Sequence, residues 1–415
     1  LAREGKIVAR LKGGDPGVFG RGAEEMEYLL RHGISYEVVP GVTAAVAASS
    51  CAGVPLTHRG MASAVALVTG QEGRGKTDSS IDYGSLAKFP GTLVFYMGVT
   101  TVSEWTKALL GAGKPADTPA MIIRRCSLPD QLTVKTTLGG LAERLTPYTR
   151  IRPPVIVIIG EVVGVGSALS WFEQRPLFGR SILVTRPAGQ AASLVHQLEE
   201  LGAQVFVQPA IAIGPVNDWG PVDKQIHQVS SYDWLVFSSS NGVEAFLSRM
   251  WHLGKDARQL GNTKIAAVGP GTRDALNRFH IQVDAQPKKF QGEHLAEALQ
   301  GEVNGKRVLV IRTNRGRDVV PNQLAEAGAR VTQIEAYASL DVTRPDQQVA
   351  SLLEAQKIDW VTVTSSAIAR SLHAMFGDLL AQCRLVSISP LTTGTLRDLG
   401  LPIAAEASAA TMTSV

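Results

Sequence analysis

Two stretches of the chain are near copies of each other, and this duplication limits the available folds more than any other feature. Asp233-Trp234-Leu235-Val236-Phe237-Ser238-Ser239-Ser240 matches Asp359-Trp360-Val361-Thr362-Val363-Thr364-Ser365-Ser366. Ile182-Leu183-Val184-Thr185-Arg186 likewise matches Val308-Leu309-Val310-Ile311-Arg312. Asp233 and Asp359 are 126 positions apart, as are Ile182 and Val308. Each apolar run is followed by a polar loop and then by helical periodicity, so the second half reads as a duplicated α/β unit. Each copy adds a further strand, Pro-containing loop and helix, at Ala267-Val268-Gly269-Pro270-Gly271-Thr272 and Ser387-Ile388-Ser389-Pro390-Leu391-Thr392-Thr393. In a parallel sheet such Ser/Thr/Gly clusters fall at the carboxyl ends of strands and at helix N-termini, where open α/β sheets bind ligands. Two such lobes facing each other make a cleft suited to a polyanionic ligand held by hydrogen bonds.

The first half is built differently. Between the apolar run Ile7-Val8-Ala9 and a helical pattern over 23–30 lies the loop Arg10-Leu11-Lys12-Gly13-Gly14-Asp15-Pro16-Gly17-Val18-Phe19-Gly20-Arg21-Gly22. Paired glycines let backbone approach a ligand, and a helix N-terminus offers free N–H groups. Asp15 adds a carboxylate suited to ribose hydroxyls or an ammonium; a tight turn with a helix cap is the competing reading. Residues 1–58 alternate strand, loop, helix, strand (36–39) and a small-residue helix over 43–52, a parallel α/β pattern. From 59 to 165 the expected order is strand 64–69, helix 81–89, strand 92–97, helix 102–110, strands 121–124 and 132–137, helix 141–145 and strand 155–159. Gly164, Gly166, Pro176 and Gly179 mark an inter-domain connection over 166–178.

A chain of 415 residues, 45% hydrophobic and 19% charged, has room for two to four globular domains. The formal charge of +4 is spread without Lys/Arg runs, so no nucleic-acid footprint is indicated. Cys51, Cys126 and Cys383 have no metal-ligand spacing and no disulfide pattern, which argues against a metal site and fits a reduced cytoplasm. No apolar run reaches bilayer-spanning length, so no membrane partner is expected, and the polar start Leu-Ala-Arg-Glu-Gly-Lys is no signal peptide. That start lacks Met and reads as the end of a helix, so the expectation is a fragment or trimmed gene model.

The loop string, followed by Val39-Pro40-Gly41-Val42-Thr43-Ala44-Ala45, Pro55-Leu56-Thr57-His58-Arg59, Leu93-Val94-Phe95-Tyr96-Met97-Gly98 and Pro154-Val155-Ile156-Val157-Ile158-Ile159-Gly160-Glu161-Val162-Val163, resembles the tetrapyrrole methylases. Within them it is most similar to uroporphyrinogen-III C-methyltransferase, which uses S-adenosyl-L-methionine. The resemblance implies two lobes with the cofactor between them: a partial first lobe at 1–58 and a second at 59–165. It places Gly13, Gly14, Asp15, Val18, Thr43, Ala44 and Met97 at the cofactor. Core packing is the competing reading for Val18, Ala44 and Met97. The family's acid/base carboxylate and lysine lie before the point where this chain begins, and Cys126 stands where the family has a glycine. The resemblance therefore implies a truncated methylase with impaired methyl transfer, and a possible homodimer through this half.

Residues 179–415 resemble uroporphyrinogen-III synthase, through Val184-Thr185-Arg186-Pro187, Phe237-Ser238-Ser239-Ser240-Asn241-Gly242-Val243, Val268-Gly269-Pro270-Gly271-Thr272, Gly292-Glu293-His294-Leu295 and Tyr337 after Ile334-Glu335-Ala336. The fold implied is a two-lobed parallel α/β structure with a β-ladder hinge, the ladder formed by 205–213 and 331–340. Lobe one would be 179–204 plus 343–415, and lobe two 216–328. The reaction implied is closure of hydroxymethylbilane to uroporphyrinogen III with inversion of the last ring, without a cofactor. Tyr337 is the expected proton donor to the departing hydroxyl, against a hinge tyrosine with a wet hydroxyl. Thr392 or Thr393 stands where the family has a cleft threonine. Ser239, Ser240, Thr272, Thr364 and Ser365 are candidate substrate binders, with helix capping as the alternative. Arg186 and Arg312 occupy equivalent repeat positions, where carboxylate contact competes with an ion pair. Two other readings stay open: a non-catalytic two-lobed binding module fused to a methylase remnant, and a methylase acting on another precorrin.

Overall fold

The apolar runs that alternate with helical segments become strands wherever a neighbour is available to pair with them. The computed structural model describes residues 1–72, 80–146, 148–149, 151–165 and 169–415, so Gly166 of the expected connection lies outside the described residues. The chain divides into one compact unit made of residues 1–181 with 196–204 and another made of 182–195 with 205–415.

The first unit holds a sheet of β1 (Val65–Thr69), β2 (Thr92–Tyr96), β3 (Pro119–Arg124), β4 (Leu132–Thr137) and β5 (Val155–Ile159), in the order β1-β2-β5-β3-β4. Only β1 and β2 run parallel; β5 pairs antiparallel with both β2 and β3. Every residue of β2 and β5 is buried, as expected of central strands covered on both faces. Phe95 stacks on Trp105 with ring centroids 4.2 Å apart, anchoring helix Val102–Gly111 to the sheet.

Two expected strands do not form. Residues 7–9 and 36–39 carry no strand pairing, and Ile7 and Val39 are exposed at 103% and 79%. The helices between and after them, Gly22–Arg31 and Ala44–Ala52, are in place. A β-branched run becomes a strand only against a partner ladder, and no described segment pairs with either run. A second difference lies at residues 171–178, read from composition as a connection. Phe172 is buried, Trp171 Nε1 donates to the Ser50 carbonyl at 2.8 Å, and Glu173 accepts from Gln131 at 2.9 Å and from Thr133, so this stretch packs within the first unit.

The second unit reproduces the duplication. One lobe carries β6 (Ser181–Val184), β7 (Gln204–Val207), β13 (Trp360–Val363), β14 (Arg384–Ser387) and β15 (Ile403–Glu406), in the order β15-β14-β13-β6-β7. The other carries β8 (Ile211–Gly214), β9 (Trp234–Phe237), β10 (Lys264–Ala267), β11 (Arg307–Thr313) and β12 (Arg330–Asp341), in the order β10-β9-β11-β12-β8. The repeat partners β6 and β11 sit beside β13 and β9 respectively, and Ala285 bridges β10 where β15 flanks β14.

The ladder is shorter than the resemblance implied. Only Ile211–Gly214 pairs antiparallel with residues 338–341, because the earlier part of β12 is the parallel neighbour of β11. β12 is twelve residues long and serves both pairings in turn. The β11–β12 register shifts between Arg312 and Thr313, where Thr313 pairs with Tyr337, so Tyr337 stands at the changeover.

Candidate functional site

In the first unit the glycine loop is pinned to the start of helix Ala44–Ala52. Asp15 accepts from the Gly17 N–H at 2.8 Å and from the Gly41 N–H at 3.0 Å, and these two bonds hold its carboxyl below the ordinary range, Gly41 contributing most. A Cβ on Gly41 would meet the Gly14 carbonyl oxygen at 2.2 Å, and Gly14 has φ +78°, so both positions need glycine. Gly13 is exposed, and Val18 packs on the core cluster beneath. Thr43 precedes the helix, and its hydroxyl lies 2.7 Å from the Tyr96 phenol, which also accepts from the Ala45 N–H at 2.8 Å. Sequence reasoning missed Tyr96: its place inside a buried strand hid the cap it provides.

A cavity of about 500 Å³ opens beside this helix, lined by Ala44, Ala47, Tyr96, Met97, Cys126 and Pro154 among others. Ala44 and Met97 therefore reach it directly, whereas Gly13, Gly14, Asp15 and Thr43 shape the loops next to it. Met97 adopts φ +53° and stays half exposed, a strained conformation that turns its side chain out of the core. Cys126 forms part of the wall, and burial, reinforced by Cys51, pushes its thiol up to about 12. Volume and apolar lining suit an adenosyl thioether, so the residues present fit S-adenosylmethionine.

In the second unit the strand ends of the two lobes meet. Ser239 and Ser365 cap helices Ser240–His252 and Ser366–Phe376, accepting from Gly242 N–H at 3.1 Å and Ile368 N–H at 3.2 Å. Both therefore serve as caps, as the alternative reading had it, but Ser239 does more: its hydroxyl lies 2.9 Å from the Tyr337 phenol. Tyr337 is only 6% exposed, so it is no wet hinge residue. Burial pushes its phenol above the usual value, and hydrogen bonds from Ser239, Thr313 and Asn241 partly offset that. The proton is thereby retained at neutral pH.

Across the cleft, Gln190 Nε2 donates to Asn241 Oδ1 at 2.5 Å, and Arg186 Nη2 donates to Gln190 Oε1 at 3.2 Å. Arg186 is partly buried, its Nε has no partner, Nη1 meets the Met412 sulfur, and it has no carboxylate within ion-pair distance among the described residues. Burial lowers its pKa. Its repeat counterpart Arg312 is instead paired with Asp318 and Gln333, so of the two copies the ion-pair reading holds at Arg312. The result is a polar chain from Arg186 through Gln190 and Asn241 to the Tyr337–Ser239 pair. Gln190 and Asn241 were missed, because each looks like an ordinary first-turn helix residue until the lobes are opposed.

The remaining candidates sit apart from this chain. Thr392 is buried with its hydroxyl 3.2 Å from Ser389, the cap of helix Pro390–Asp398. Thr393 joins Ser387 and Glu406 at 2.5 Å each, Thr272 is buried in the first turn of helix Pro270–Arg278, and Thr364 and Ser240 are half-buried beside their helix starts. Among the described residues no cluster of His, Cys, Asp and Glu forms a metal site.

A duplicated α/β pair joined by a ladder, with a hydroxyl-lined cleft, defines a two-lobed class of ligand-enclosing domain. The family model described as Uroporphyrinogen-III synthase HemD matches residues 192–415, and that described as Tetrapyrrole (Corrin/Porphyrin) Methylases matches residues 1–142. The chain belongs to the uroporphyrinogen-III synthase family and carries a tetrapyrrole methylase region ahead of it. It is 34% identical over 377 residues to the Porphyrin biosynthesis protein HemD of Ruminiclostridium josui, covering 91% of this chain and 74% of that protein. It is 33% identical over 306 residues to the Uroporphyrinogen-III C-methyltransferase of Bacillus subtilis, covering 72% of this chain and 62% of that protein. A crystal structure of a mutant uroporphyrinogen III synthase from Thermus thermophilus is 17% identical with a TM-score of 0.41, covering 55% of this chain and 92% of that one.

Proposed function

We propose that the second unit closes hydroxymethylbilane to uroporphyrinogen III and that the first unit binds S-adenosylmethionine for C-methylation of that product to precorrin-2, a transfer that Cys126 in the cavity wall impairs. The observation that carries the reading is the buried Tyr337 phenol, hydrogen-bonded at a helix N-terminus and linked across the cleft to a guanidinium that has no carboxylate partner among the described residues. Tyr337 donates its proton to the leaving hydroxyl, so the C–O bond breaks and water departs. The resulting azafulvene is attacked by the substituted carbon of the terminal ring; the spiro intermediate rearranges, and ring closure releases a proton that restores the phenol. Positioning of a flexible octacarboxylate supplies much of the barrier reduction, and that task falls to Arg186 and the helix N-termini. No nucleophile is needed, in keeping with a cleft built from hydroxyls and amides. Among the described residues no helix is long and apolar enough to cross a membrane; the three free cysteines favour a reducing, cytoplasmic setting.

Turnover of hydroxymethylbilane by the wild-type and Tyr337→Phe chains tests the assignment. Wild type should accumulate the type III isomer, and Tyr337→Phe should be slower by about 100-fold, the usual scale of a lost general acid. Unchanged turnover in the Phe variant would remove Tyr337 from the mechanism. The binding-module alternative predicts no isomer III from either chain.

A further inference from the structure

A second polar concavity lies between the same two lobes, at the end of the ladder. It measures about 540 Å³. One wall is a face of helix Ser366–Phe376, where Ala367, Arg370, Ser371 and Ala374 follow helical spacing and the small side chains leave space beside the arginine. Opposite stands Arg315, in the loop after β11, which holds Asp341 through two bonds of 2.7 and 2.9 Å. Arg370 is exposed to this space and has no ion-pair partner within 4 Å among the described residues. Two guanidinium groups against one carboxylate leave the concavity cationic. Tyr337 and Asp341 are four residues apart on one strand and alternate to the same face, so the two places are about 13 Å apart along β12. A single extended ligand spans that distance.

We propose that this concavity is a carboxylate-binding subsite of the cleft, with Arg370 as the principal contact and Arg315 beside it, separate from the Tyr337 locus. The inference rests on the proposed tetrapyrrole substrate, whose peripheral carboxylates are the chemistry two guanidinium groups recognise. Arg370 would grip the side chains of rings remote from the reacting end and so contribute to holding the chain in one curl. Asp341, a like charge beside the bound carboxylate, opposes binding while keeping Arg315 in place.

Equilibrium binding of uroporphyrin III, a stable octacarboxylate, to the full chain tests this without requiring turnover. Arg370→Ala should weaken binding about tenfold, the size of one charge-assisted hydrogen bond at a partly exposed site, and Arg370→Lys should recover most of it. Asp341→Asn should bind more tightly than wild type. Wild-type affinity in Arg370→Ala, or a loss in Asp341→Asn as large as in Arg370→Ala, would overturn the subsite; the latter would mean that Arg370 acts by steadying the ladder. Failure of the wild type to bind uroporphyrin III would overturn it as well. A wild type that binds the porphyrin yet makes no type III isomer would overturn the proposed reaction and leave the subsite standing.

Discussion

Arg186 and Arg312 began from one duplicated position and ended in different environments, which gives the residue scale its clearest test. Arg312 is satisfied by Asp318, whereas Arg186 has a buried Nε without a partner, an arrangement that costs stability unless a ligand completes it. Arg186→Gln should raise KM for hydroxymethylbilane about tenfold with kcat within a few-fold, the pattern of lost uniform binding, while Arg312→Gln should leave both constants near wild type. Asp15 offers a pH signature. Its carboxyl is held low by the Gly41 and Gly17 N–H groups, so its contribution is present above the unfolded value near pH 3.9 and is lost as pH falls through the lower folded value. Thermal midpoints of the first unit should drop below about pH 4 in wild type and depend less on pH in Asp15→Asn. At this scale the sequence singled out Tyr337, Arg186 and Ser239 as candidates from their chemistry, and the structure brings all three into one polar chain. Gln190 and Asn241 were not, because only the meeting of two lobes gives a first-turn amide a partner 51 residues away.

Elements were read well where periodicity alone decides and badly where pairing decides. The five strands of the first unit lie where the apolar runs put them, and the four helices flanking β9, β10, β13 and β14 start at the expected Ser/Gly-Pro positions. Residues 7–9 and 36–39 failed because a strand is a property of two segments, and the composition of 171–178 concealed buried Phe172. The ladder was overestimated for a related reason: β12 looks like one hinge strand, yet most of its length belongs to a lobe. Packing of the glycine loop gives an element-scale prediction. Gly41→Ala forces a Cβ into the Gly14 carbonyl and should destabilise the first unit by about 2 kcal/mol, with loss of S-adenosylhomocysteine binding measurable by calorimetry. Ser365→Ala, by contrast, removes one helix cap and should cost about 1 kcal/mol in chemical denaturation without altering the product isomer.

On the scale of the whole molecule, duplication produced a pair of lobes whose strand ends face each other, and each lobe contributes what the other lacks. One supplies Arg186, Gln190 and Arg370; the other supplies Asn241, Ser239, Tyr337 and Arg315. Neither half of the duplication carries the site alone, which is why the 126-residue offset foretold a cleft but not its wiring. Under the proposed function the methylase region acts on the product of the second unit, so one reaction mixture reports on both units. The decisive measurement is to supply the full chain with fresh hydroxymethylbilane and S-adenosylmethionine and resolve the products by isomer and mass. The account predicts uroporphyrinogen III as the main product, with species heavier by one or two methyl groups a minor fraction at most, as impaired methyl transfer requires. Only the spontaneous type I isomer would contradict it.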